Sequence, residues 1–152
     1  MLRSLGVMVL LGSLTTTPQD DGLVRVRSTR EFSQTVTALD SAITAANLRI
    51  FARVDHAANA RGVGLELRPT TVFIFGNPLV GTRLMQCEQT IGVDLPLRVL
   101  VWEDSARSVF VGYEPPARLA ARFNLAGCRD VIDRMTTVLG ALAASATGSS
   151  RR

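Results

Sequence analysis

Few residues in this chain have chemistry to offer, and the first pair is Asp55–His56, where an alternating apolar segment ends. Strand ends and loops are where binding groups are commonly presented. An imidazole there takes or gives a proton near neutral pH when a carboxylate, such as Asp55 or Asp94, orients its ring. The same pair also fits a structural role, with Asp55 capping a short turn over 56–61 and His56 donating a hydrogen bond. Asn77 stands in the turn-forming triplet Gly76–Asn77–Pro78; its amide can shape the turn or meet a bound carboxylate or carbonyl. Asp94, just before Leu95–Pro96, reads as a backbone acceptor at a strand entrance or as a further member of a binding site. Glu103 and Asp104 adjoin, so in a strand they face opposite ways and make no close acid–base pair.

Cys87 and Cys128 are the two cysteines. They can form a disulfide if their Cα atoms approach, or remain two buried thiols. A nucleophilic Cys87 with His56 as base has little support, because nothing in the segment 85–89 lowers a thiol pKa. One histidine and two cysteines do not make a zinc cluster, and no loop alternates carboxylates as a calcium loop does. No phosphate-binding Gly-Lys loop, Gly-x-Ser-x-Gly elbow or dinucleotide fingerprint occurs. No metal or cofactor is therefore expected, and no residue is assigned a catalytic role.

The elements that must position these residues follow from periodicity. Leu23–Arg27 alternates as a short strand. Ser28 and Glu31 have capping-box spacing, and Phe32, Val36, Leu39 and Ile43 then follow at helical spacing up to a stop at Asn47. Residues 48–55 predict a second strand, with Ile50, Ala52 and Val54 on one face and Phe51 and Arg53 on the other. Residues 70–75 form a strongly β segment ended by Gly76–Asn77–Pro78. Residues 79–91 predict a helix with Leu84 and Met85 inward. Residues 97–103 and 108–113 predict a hairpin. Pro115–Pro116 opens a helix, and Ile132, Met135, Val138 and Leu142 mark a second stripe beyond Gly127. Short connections among the later strands favour an α+β architecture: an antiparallel sheet with a helix after the first strand, a short inserted helix, and C-terminal helices packed on one face.

At 152 residues the chain has room for one domain, read as 18–145 and followed by a polar, disordered tail at 146–152. An apolar share of 47% is enough for a core without a metal. All seventeen basic residues are arginine, and the net charge is +4. Between Arg25 and Arg134 they are interleaved with acids and form no basic run, so no nucleic-acid partner is expected. Residues 1–17 have the order of a secretory signal: Arg3, an apolar stretch from Leu5 to Leu14, then threonines. That stretch is too short for a stable membrane span, which needs about 20 residues. The reading is of an exported protein, periplasmic or secreted.

Four segments in order, 54–70, 75–85, 93–104 and 111–125, resemble the family of domain of unknown function 302. The resemblance covers 50–125 tightly and the first strand and helix loosely. It implies a compact fold related to the TATA-box-binding protein, with a curved antiparallel sheet of the β-α-β(4)-α type, and a homodimer. It implies no reaction and carries over no DNA binding. The cysteine pair is not part of the family pattern. The function expected is a non-catalytic, dimeric binding or assembly module, with a small-molecule or protein partner near Asp55, His56, Asn77 and Asp94. Two alternatives stand beside it: a hydrolase- or isomerase-like enzyme using His56, and a carrier of a small apolar ligand beneath the long C-terminal helix.

Overall fold

Alternation in Val24–Arg27 produces strand β1, its valines turned inward and its arginines outward. In the computed structural model, which describes residues 21–149, this strand is one edge of a five-stranded sheet. The signal-like segment 1–17 and residues 150–152 lie outside the described residues. The remaining strands are β2 (Arg49–Asp55), β3 (Thr70–Gly76), β4 (Leu97–Glu103) and β5 (Val109–Tyr113). Their order is β1-β5-β4-β3-β2, and every neighbour is antiparallel. Helices α1 (Phe32–Ala45) and α5 (Arg129–Thr147) cover one face, giving an α+β fold. The shorter helices are α2 (His56–Gly62), α3 (Pro78–Cys87) and α4 (Pro116–Arg122).

Helix α1 buries Val36, Leu39 and Ile43, as its stripe predicts, and Thr35 with them. Thr35 is a polar residue in the core, and its hydroxyl meets Ser28 Oγ at 2.7 Å and the Glu31 carbonyl at 3.0 Å. The capping box is shifted by three residues from Ser28–Glu31: Glu31 is the cap, and the Gln34 side chain accepts from its N–H at 3.3 Å. Ser28 instead accepts from the Arg30 N–H. Asn47 closes the helix with a left-handed φ of 54°.

Residues opposite each other on antiparallel strands share a face. Val24, Val26, Val99, Val101, Val111, Phe73 and Phe75 lie toward the helices, where Leu139, Leu142, Ala143 and Ala146 of α5 meet them. A second cluster joins Leu84, Ile91, Leu119, Leu125 and Ile132 at the end of the sheet. In β2 the face assignment changes partway. A register shift between Ile50 and Ala52 leaves Phe51 as an extra residue. Ile50 therefore pairs with Phe75 on the helix side, whereas Ala52 and Val54 pair with Ile74 and Val72 on the other. A bulge breaks the period-two rule, and sequence alternation alone does not reveal it.

The chain's end is ordered further than composition predicts. Ala146 and Thr147 are fully buried within α5, so the boundary at 145 falls inside the helix. Arg30 donates to the carbonyls of Ser145 and Ala146 at 2.6 and 2.7 Å, satisfying acceptors that a helix end leaves open. Gly148, at φ 71°, then ends the helix.

Candidate functional site

Two of the four polar candidates cap helices. Asp55 ends β2 and accepts from the Ala58 N–H at 2.8 Å, so its carboxylate starts α2. Asn77 accepts from the N–H groups of Leu79 (2.9 Å) and Val80 (3.4 Å), starting α3 with Pro78 at its first position. Asp94 pairs with Arg122, N to O 2.7 Å, tying the segment before β4 to α4. His56 is the exposed first residue of α2, and its side chain makes no hydrogen bond among the described residues. Neither Asp55 nor Asp94 orients its ring.

The four do not gather. Asp55 pairs opposite Thr71 while Gly76, next to Asn77, pairs opposite Arg49. At the rise of an extended strand these ends are about 17 Å apart. Asn77 and Asp94 share one end of the sheet, and Asp55 and His56 stand at the other. No cluster of three or more potential metal ligands occurs among the described residues.

The end that holds Asn77 carries a groove of about 330 Å³. Helix α3 makes one wall through Val80, Leu84 and Met85, and the end of strands β2 and β3 makes the floor through Phe51 and Phe75. Leu95 and Pro96 close one side, and Arg134, Met135 and Val138 of α5 close the other. Its volume is at the lower end of the range for small-molecule sites, roughly 300–1,000 Å³. Among the described residues Arg134 is the one charged residue in the lining. The groove's lining is thus mainly apolar, with Asn77, Thr82 and Arg134 as the polar side chains and no carboxylate, histidine or cysteine among the described residues.

Two restraints hold α3 in place. Asn77 caps its start, and a disulfide joins its last residue, Cys87, to Cys128 just before α5, with Cα atoms 6.5 Å apart. Beyond Cys87, Glu88 interrupts the helix expected over 79–91 and caps a separate 3₁₀ turn, Gln89–Val93. Hydrogen bonds from the Thr90 side chain and backbone hold the Glu88 carboxyl below its ordinary value of 4.5.

Periodicity placed several groove residues in the core. Met85 is 37% exposed and Val138 36%, because α3 turns Leu84 inward and α5 buries Leu139 in place of Val138. Phe51 is exposed by the bulge. The usable signal was an apolar residue out of phase with its helix's main stripe.

Over 130 residues the chain is 42% identical to proteins named fluoride-specific ion channel FluC 1 in Brucella suis biovar 1 (strain 1330) and Brucella abortus biovar 1 (strain 9-941). That stretch is 85% of this chain but 51% and 48% of those proteins, so the chain spans about half the length of these relatives. The crystal structure of an uncharacterized conserved protein DUF302 from Bacillus stearothermophilus has the same fold. Its TM-score is 0.75 at 15% identity, over 83% of this chain and 98% of that one. The profile of domain of unknown function DUF302 matches residues 24–142, from the first strand into the last helix. The chain belongs to that family.

Proposed function

We propose that this domain is a non-catalytic binding module that holds a small, mainly apolar molecule in the groove between α3 and α5. The observation that carries the reading is the lining: apolar side chains from five separate segments converge on one concavity, with Arg134 among the lining residues. An exposed concave apolar surface of this kind is the usual form of a small-molecule site. Acid–base catalysis by His56 has less support, since no second titrating group is held against the ring and the groove lies at the other end of the sheet.

Nile red, a neutral apolar dye, tests the reading on the full chain. Saturable fluorescence enhancement is expected for the wild type. Val138→Trp fills the groove from a partly exposed helix position and should weaken dye binding at least tenfold with an unchanged circular dichroism spectrum. No saturable binding by the wild type, or equal binding by the variant, would overturn the assignment.

Two further parts of the reading rest on different observations. The Cys87–Cys128 bond and the signal-like order of residues 1–17 support work in an oxidising compartment. The sheet face away from the helices supports a homodimer. It carries Val72, Ile74, Leu100, Trp102 and Phe110, all half-buried, with Arg98 opposite Ile74. Ion conduction is not part of the proposal: no described helix is long and apolar enough to cross a membrane, and the named channels share only about half their length with this chain.

A further inference from the structure

We propose that the groove takes an aliphatic monocarboxylate of the fatty-acid type, its tail among the α3 and sheet side chains and its head group on Arg134. This inference rests on the groove being a ligand site. Charge carries it. The lining contains no Asp or Glu among the described residues, and its single charge is positive. Among the described residues Arg134 enters no ion pair, although Asp130 lies one turn earlier on the same helix. Outside the lining, Arg49 holds its Cζ 5.2 Å from the ring of Phe51, a groove residue, and enters no ion pair among the described residues.

A neutral ligand laid against Arg134 strips water from the guanidinium and returns no partner, whereas a carboxylate supplies a charge-assisted hydrogen bond. Arg134 and Val138 are one turn apart on α5, so the cation and the apolar wall share one stripe of that helix. The volume near 330 Å³ suits one tail rather than two. Phosphate is the poorer head group, because the first free N–H groups of α3, those of Leu79 and Val80, already bond to Asn77.

Isothermal titration of the full chain with octanoate and with 1-octanol separates this inference from the groove assignment. The wild type should bind octanoate about tenfold more tightly than octanol, as one charged hydrogen bond predicts. Arg134→Gln should remove that preference and leave octanol binding unchanged, and Arg134→Lys should restore part of it. Equal binding of acid and alcohol by the wild type would overturn the carboxylate while leaving the groove assignment standing. A preference that survives in Arg134→Gln would overturn the anchor. If neither compound binds, both the inference and the groove assignment fall.

Discussion

A carboxylate or amide that stands next to a strand end can serve a ligand or the backbone, and the hydrogen bonds decide which. Asp55 and Asn77 are both committed to helix starts, where an oxygen acceptor replaces water on an otherwise open N–H group. Asn77→Ala is therefore expected to lower stability by about 1 kcal/mol in urea denaturation, the usual worth of such a cap. His56→Ala, at an exposed position without a partner, should stay within about 0.5 kcal/mol. If the order were reversed, His56 would hold something the hydrogen bonds do not show. The sequence named Asp55 as a cap but read Asn77, which caps α3 in the structure, as a turn former. What it could not supply was Arg134 as a site residue, since one arginine among seventeen has no local mark that sets it apart. Its distinction comes from what surrounds it after folding.

The elements were legible wherever one local rule acted alone. Strand β1, the stripe of α1, the stop at Asn47 and the β4–β5 hairpin follow from period, cap and turn chemistry. The failures came where tertiary contacts override the period: the bulge at Phe51, the break at Glu88, and the phase of α5 around Val138 and Leu139. These three places border the groove or lie in its walls, and departures from local pattern tend to concentrate at functional sites. The second apolar cluster, which supports α3, depends on how α3 is tethered to the start of α5. The Cys87–Cys128 bond spans 41 residues, and the chain-entropy account gives roughly 4 kcal/mol for closing such a loop. Replacing both cysteines by serine should lower stability by that order and weaken Nile red binding, because α3 is a groove wall. A double variant with unchanged denaturation midpoint and dye affinity would show that packing alone positions α3.

At the scale of the whole molecule, the sheet has an apolar face more than the helices use. Val72 to Phe75 in β3 and Val99 to Trp102 in β4 are unbroken apolar runs, the pattern of strands covered on both sides. Here α1 and α5 cover one side, and the other presents Val72, Ile74, Leu100, Trp102 and Phe110. A Cβ at Gly112 would come within 2.7 Å of the Trp102 ring, so glycine lets the indole lie against the sheet. The ring stacks with Phe110 at 5.4 Å between centroids, and Arg25, held by Asp21, lies 6.0 Å from its centroid. This mainly apolar face, which also carries Arg98 opposite Ile74, suits a second copy of the same face around a two-fold axis. Sedimentation velocity should accordingly show a dimer, and Leu100→Glu should yield a monomer with unchanged circular dichroism, because it places like charges together at the centre of both copies. Val138→Glu, on the groove side, should remain dimeric. A wild-type monomer would remove the dimer from the proposal, and a dimer that persists in Leu100→Glu would move the interface away from the sheet, leaving the groove to be tested on its own terms.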